Sequence, residues 1–173
     1  MNAWQLAMEH WGAWALWGLV ASAGMATILE GAQLGGVSRM SLPFLFGAFF
    51  AEDRRRSIMI GYGLYLAGGW AFALLYAMLL GSFDLPGLWS AAGLGALIGL
   101  GHGAFLIAVF LPLLPVVHPR LASGYDGPSA LTQIEPPGAF GLNYGGATPA
   151  TTVAAQCLYG LILGLGYGAA ITG

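Results

Sequence analysis

The sequence has few charged residues, no lysine and only one cysteine. Charged residues make up 7% of the chain, whereas soluble domains contain about a quarter, so an ordinary soluble domain is excluded. Without lysine there is no polybasic tract of the kind that binds nucleic acid, and nucleic acid is not an expected partner. Because Cys157 has no second cysteine to pair with, a disulfide framework and a cysteine metal site are also excluded.

The sequence also lacks the short motifs that mark common enzyme classes. It contains no Walker loop, no dinucleotide fingerprint, no HExxH zinc motif and no GxSxG nucleophile elbow. These absences leave no catalytic residue and no metal site to name, and they favour a protein that is not an enzyme.

Long apolar stretches dominate what remains, since 58% of the residues are hydrophobic. A helix needs about 20 apolar residues to cross a bilayer, and four stretches meet that length. We therefore expect an all-α integral membrane protein, a four-helix transmembrane bundle in a single membrane domain covering residues 1–173. The first stretch lacks a positively charged n-region, so we expect it to be retained and not cleaved as a signal peptide. The predicted spans are residues 11–30, 58–80, 88–111 and 149–171.

Residues 41–50 form an apolar run that is too short to cross a bilayer. Ser41 is a favourable helix N-cap, and Pro43 belongs in the first turn of a helix. The segment is therefore predicted to be a half-helix after the first span, either re-entrant or lying in the membrane plane.

The third span is interrupted by two prolines near its end. Pro112 and Pro115 lack the backbone N–H that a helix needs, so we expect the helix to kink or end near Phe110. Thr148 and Pro149 then fit the N-cap and the first position of the fourth span.

Residues 118–148 are rich in proline, glycine and polar side chains, which predicts a long loop. Irregular loops of this length are uncommon unless they are functional or disordered. We therefore expect a lid or a docking surface here, with these candidate residues: His118, Arg120, Glu135, Asn143 and Tyr144.

All the basic side chains fall in two of the segments that separate the spans, residues 31–57 and 118–150. By the positive-inside rule both segments are cytoplasmic, and both termini then face the periplasm or the exterior. The "EDRRR" cluster at a span boundary fits an orientation signal and a lipid headgroup contact. The arginines are Arg39, Arg54, Arg55, Arg56 and Arg120.

Small residues recur at a spacing of four in three of the spans. Four residues advance a helix by about 400°, so each series forms a stripe along one face, and such stripes let membrane helices approach closely. We interpret them as packing seams. The series are Gly95, Gly99 and Gly103; Gly160, Gly164 and Gly168; and Gly18, Ser22 and Ala26.

Three polar side chains are predicted at membrane depth: Glu30, His102 and Gln156. Polar groups there are costly and are functional candidates by default. His102 lies on the side of its helix that carries the glycine seam, and several roles are compatible with this position. These are a structural hydrogen bond to Gln156, Tyr62, Tyr65 or a backbone carbonyl; membership of a proton relay; metal ligation; and axial ligation of a tetrapyrrole, a haem or chlorin.

Glu30 continues the series of small residues on one face of the first span and lies near its cytoplasmic end. Arg39 is the nearest cation in the sequence, so we expect an ion pair that anchors the half-helix. A proton or cation site at Glu30 is the alternative.

The stretches "GVSRMSLPFLFGAFF", "GHG", "LPLLPVVHPR" and "EPPGAFGLNYGGATP", with the acidic-arginine turn, resemble an uncharacterised family of small bacterial four-span membrane proteins. The resemblance runs from about Glu30 to the last span. It implies a bacterial inner-membrane location and four spans, and it implies no activity.

Three functions remain open from the sequence. The first is a non-enzymatic accessory or structural subunit of a larger bacterial inner-membrane complex, with lipid and other membrane subunits, or itself, as partners. The second is a homo-oligomeric channel or transporter with a polar path near Glu30, His102 and Gln156. The third is a haem- or chlorin-binding membrane protein that uses His102.

Overall fold

The computed structural model describes residues 1–121 and 134–173, and within that part of the chain the secondary structure is helical, with no β-strand. Four stretches are long and apolar enough to cross a membrane: α2, α4, the run Leu88–Val117 and α7. This confirms that the described part of the chain is all-helical, with four candidate membrane-spanning helices. The helices are α1 (Ala3–Glu9), α2 (Trp11–Leu34), α3 (Leu42–Gly47), α4 (Arg54–Leu80), α5 (Leu88–Phe105), α6 (Leu111–Val117) and α7 (Thr148–Thr172).

Local capping explains two differences from the predicted boundaries. A short helix, α1, precedes the first candidate span because Asn2 and Gln5 form a capping box, with reciprocal hydrogen bonds of 2.8 and 3.1 Å. Helix α4 begins at Arg54, earlier than predicted, because the Asp53 carboxylate accepts a hydrogen bond from the Arg56 backbone N–H at 2.9 Å. The arginine cluster is therefore part of the helix.

The third candidate span, which was predicted to kink or end near Phe110, does not end there. The regular α-helix stops at Phe105, a π-helical turn follows over Leu106–Phe110, and α6 continues to Val117. In the π-helical turn the Leu111 N–H bonds to the Leu106 carbonyl, which is a wider ring than that of an α-helix. Pro112 lies in the first turn of α6, directly after this wider turn, and Pro115 lies inside α6.

The half-helix is present as α3, within the predicted residues 41–50. The Ser41 side chain accepts a hydrogen bond from the Phe44 N–H at 3.2 Å, and Pro43 lies in the first turn. At the fourth candidate span, Thr148 is the first residue of α7 and not its N-cap. A 3₁₀ turn, Ala139–Tyr144, precedes α7, and the central part of the predicted long loop lies outside the described residues.

The chain divides into two compact units. Unit 1 comprises Met1–Ile28, Leu66–Gly103 and Val153–Gly173. Unit 2 comprises Leu29–Tyr65 and Ala104–Thr152. The expectation of one membrane domain stays a prediction.

In unit 1 the predicted glycine seams of α5 and α7 pack against each other. A Cβ placed on Gly95 would overlap the backbone of Gly160, and one placed on Gly99 would lie 2.8 Å from the carbonyl carbon of Gln156. On α2, a Cβ placed on Gly18 would overlap the Cβ atom of Ala73 in α4. Backbones this close require residues without a side chain, as packing through small residues predicts.

In unit 2 the half-helix α3 lies directly against α4. A Cβ on Gly47 would overlap the Ser57 carbonyl and lie 2.8 Å from the backbone nitrogen of Gly61. A Cβ on Gly61 would in turn overlap the Pro43 carbonyl. These two glycines let the two helix backbones touch, although the sequence analysis did not single them out.

Candidate functional site

His102 lies on α5 in unit 1 and is half-buried. Its Nδ1 atom is hydrogen-bonded to the Tyr76 hydroxyl at 3.1 Å, and the ring centroid of Phe72 lies 4.7 Å from that of the imidazole. This bond is made to Tyr76 of α4 and not to one of the predicted partners, which were Gln156, Tyr62, Tyr65 or a backbone carbonyl. A tyrosine hydroxyl can donate or accept, so the bond fits either neutral tautomer of His102.

Tyr76 joins His102 to α7. The Tyr76 ring meets the Tyr159 ring edge-on, with centroids 5.1 Å apart, and the Tyr159 hydroxyl donates to the Gly69 carbonyl. Gln156 lies one turn before Tyr159, and its Cβ is 3.3 Å from where a Cβ on Gly103 would be. The structure therefore brings the predicted residues His102 and Gln156 onto packed helices of the same unit.

Two polar atoms on the buried face of α7 have no hydrogen-bond partner among the described residues of unit 1. They are Oε1 of Gln156 and the hydroxyl of Tyr167, whose residues are 3% and 0% exposed. Gln156 and Tyr167 lie three helical turns apart on one face, separated by about 16 Å along the axis. Buried polar groups are nearly always hydrogen-bonded in proteins, and leaving one unpaired costs about 1–3 kcal/mol.

We use the name α7 polar cluster for five polar side chains on α7 and the helices of unit 1: Tyr76, Tyr159, Tyr167, His102 and Gln156. The sequence analysis found the last two of these residues and missed the three tyrosines. Their aromatic rings read as apolar in a hydropathy pattern, although the hydroxyls are polar. Five of the tyrosines in the described part of the chain are buried: Tyr65, Tyr76, Tyr144, Tyr159 and Tyr167 are 6%, 2%, 6%, 1% and 0% exposed.

Glu30 lies on α2, in the part of that helix that belongs to unit 2. The expected ion pair with Arg39 is not formed in the described structure, because Arg39 pairs with Glu135 at 3.0 Å. The Arg39 backbone N–H donates to the Tyr144 carbonyl at 2.7 Å, and its guanidinium also donates to the Asn143 carbonyl. These bonds hold Arg39 against the segment that precedes α7.

His118 and Arg120 bind the C-terminal end of α3. The His118 Nε2 atom lies 3.0 Å from the Leu45 carbonyl, and its Nδ1 accepts from the Arg120 backbone N–H at 3.1 Å. His118 is therefore the neutral tautomer that carries its proton on Nε2. The Arg120 guanidinium donates to the carbonyls of Ala48 and Ala51, which satisfies backbone acceptors near the helix end.

The other predicted docking residues are also engaged within unit 2. The Tyr144 hydroxyl donates to the Glu135 carbonyl at 2.6 Å, and the Asn143 amide donates to the Pro136 carbonyl at 3.0 Å. These contacts give all five residues an internal role in holding the described parts of the loop. The docking surface stays a prediction.

The hydrogen bonds of His118 predict a pH-dependent stability. Burial lowers its pKa below the usual 6.5, the Arg120 charge lowers it further, and the bond to Leu45 opposes the shift. Because the folded chain favours the neutral form, this contribution is complete above pH 6.5 and is lost as the pH falls below it. We expect His118→Gln to reduce the fall in unfolding temperature between pH 7 and pH 5. An unchanged pH profile would contradict this assignment.

Comparison with protein-family models, with curated proteins and with solved structures finds no match. For the tetrapyrrole hypothesis, the rings of Phe72 and Tyr76 lie 4.7 and 6.0 Å from the His102 ring, where a macrocycle would need open space. That hypothesis stays a prediction.

Proposed function

We propose that the chain is a multi-pass protein of the bacterial inner membrane, a four-helix transmembrane bundle. Four candidate spans support this, and all five arginines lie in the two segments that the positive-inside rule assigns to the cytoplasm. Both termini then face the periplasm. Helix α3 would lie in the membrane plane or enter it from the cytoplasmic side.

Within that membrane protein, we propose a channel or transporter function for the α7 polar cluster. The observation that carries the proposal is the pair of buried, unpaired oxygens on α7, Gln156 Oε1 and Tyr167 OH. Selection for stability alone would favour apolar side chains here, because an unpaired polar group destabilises the fold. Polar groups retained inside a membrane protein commonly mark solute pathways.

His102 has a defined place in the proposed pathway. Its Nδ1 is held by Tyr76, which leaves Nε2 as the ring nitrogen that would meet a passing solute. Gln156 offers an amide on the facing helix. Glu30, the third member of the predicted path, belongs to unit 2, and its part in transport stays a prediction.

The proposal predicts that the chain alone makes vesicles permeable to at least one small solute. We expect Gln156→Met, which keeps the side-chain length and removes the amide, to abolish most of that permeability. Thr27→Val is the matched control, because the Thr27 hydroxyl donates only to Ala23 of its own helix at 2.9 Å. Stopped-flow light scattering of reconstituted vesicles measures the rates.

If no solute crosses faster than in protein-free vesicles, the transport proposal is wrong. Equal rates for wild type and Gln156→Met would also contradict it, since the pathway would not involve the cluster. Circular dichroism of both variants in detergent checks that they are folded.

A second candidate, the accessory subunit of a larger inner-membrane complex, is favoured by the outward face of α5. A Cβ on Gly93 or Gly101 would have nothing within 4 Å, and only 22% of the most apolar part of this candidate span is buried. Small residues on an open face suit contact with a further membrane helix. Native mass spectrometry from the source membrane separates the two candidates: other polypeptides support the subunit, and multiples of this chain support the homo-oligomeric transporter.

A further inference from the structure

We infer that the α7 polar cluster binds a small uncharged solute that carries hydrogen-bond donors, such as a polyol or an amide. The inference rests on the proposed transport function and names its substrate class. It starts from the kinds of polar group that unit 1 contains.

Unit 1 offers almost no full charges. None of the five arginines lies in its three segments, and its only acidic residues are Glu9 in α1 and Asp84 in the turn between α4 and α5. Both acids lie outside the candidate spans. The cluster therefore presents an amide, hydroxyls and an imidazole, and no carboxylate or guanidinium.

The interactions that an ion would make in such a site would not compensate for the free energy it loses on leaving water. Moving an ion out of water costs several kcal/mol even after the protein relaxes, and an opposite charge is needed to compensate. Backbone carbonyls can replace the hydration shell of a cation where they are free to point at it. Around Gln156 and Tyr167 the backbone is helical, so its carbonyls are engaged along the helix axis.

An uncharged solute fits the groups that lack partners. Gln156 Oε1 is an acceptor and needs a donor, whereas the Tyr167 hydroxyl can donate or accept. A solute with at least one O–H or N–H group satisfies Gln156 and removes the cost of its unpaired oxygen. The ring of Tyr159, one helical turn from Gln156, packs against the ring of Tyr76 with centroids 5.1 Å apart, which supplies apolar surface on the Gln156 side of the cluster.

The test compares glycerol and urea with potassium chloride and sodium phosphate in vesicles that contain the purified full chain. We expect glycerol, urea or both to cross faster than in protein-free vesicles, and both salts to cross at the protein-free rate. Removing one hydrogen bond to the solute should slow glycerol or urea by about tenfold in Gln156→Met. Thr27→Val should keep the wild-type rates.

The possible failures point to different errors. If either salt crosses as fast as glycerol, the assignment of an uncharged solute is wrong, while the transport function stands. If glycerol and urea cross in the wild type and equally fast in Gln156→Met, the assignment of the solute to this cluster is wrong. If no solute exceeds the protein-free rate, both the inference and the transport function are wrong.

Discussion

Gly61→Ala is expected to disrupt the packing of α3 on α4 in unit 2. The added Cβ would overlap the Pro43 carbonyl and lie 3.0 Å from the Pro43 Cα atom. Backbone atoms cannot rotate away as a side chain can, so the two helices would have to separate. Overpacking of this kind costs about 1–3 kcal/mol or more, and we expect the upper end of that range.

Gly63→Ala is the matched control on the same helix. Nothing lies within 4 Å of a Cβ on Gly63, and alanine favours a helix over glycine by up to about 1 kcal/mol. Thermal unfolding in a mild detergent should show a lower midpoint for Gly61→Ala and an unchanged or higher midpoint for Gly63→Ala. Equal midpoints would contradict the close contact of α3 with α4.

Gly99→Ala is expected to have a similarly large effect in unit 1. Its Cβ would lie 2.8 Å from the carbonyl carbon of Gln156 and 2.9 Å from the Cα atom of Cys157. These atoms belong to the backbone of α7, so the α5–α7 seam would have to open. We expect a loss of about 1–3 kcal/mol, with the vesicle permeability lost as the α7 polar cluster is displaced.

Gly101→Ala serves as the control for this seam, since it lies on the same helix and nothing is within 4 Å of its Cβ. Unfolding midpoints and glycerol rates should match those of the wild type, or the midpoint should rise. If both alanine variants behave alike, α5 and α7 are not packed through Gly99.

The helices and their seams could largely be predicted because they depend on local patterns. Apolar length marks the candidate spans, Ser41 and Pro43 mark the start of α3, and the spacing of Gly95 and Gly99 marks a helix face. The continuation past Phe110 could not be predicted in this way. It depends on a π-helical turn, Leu106–Phe110, after which the helix continues through Pro112 and Pro115.

The partners of polar side chains were harder to predict because they depend on how far one helix is shifted along another. In a simple antiparallel pair, residues at equal distances from the connecting turn face each other, which places His102 near Tyr65. The observed partner, Tyr76, lies three helical turns further along α4, a shift of about 16 Å. Hydropathy carries no information on such a shift.

The ion-pair partner of Arg39, in the loops, was equally hard to predict. Glu30 is closer to it in sequence, but the backbone bond between Arg39 and Tyr144 brings Glu135 within 3.0 Å of the guanidinium. A contact across such a distance in sequence has no local signature. The sequence therefore identified the charged residues of this region and not their pairing.

The most direct test of the account is the free energy of unfolding of Gln156→Met, measured beside its glycerol permeability in the same preparation. Replacing an unpaired buried polar group by an apolar group of similar shape is neutral or stabilising. The account predicts a variant at least as stable as the wild type that has lost its permeability. A destabilised variant with wild-type permeability would show that Gln156 serves the fold and not a solute.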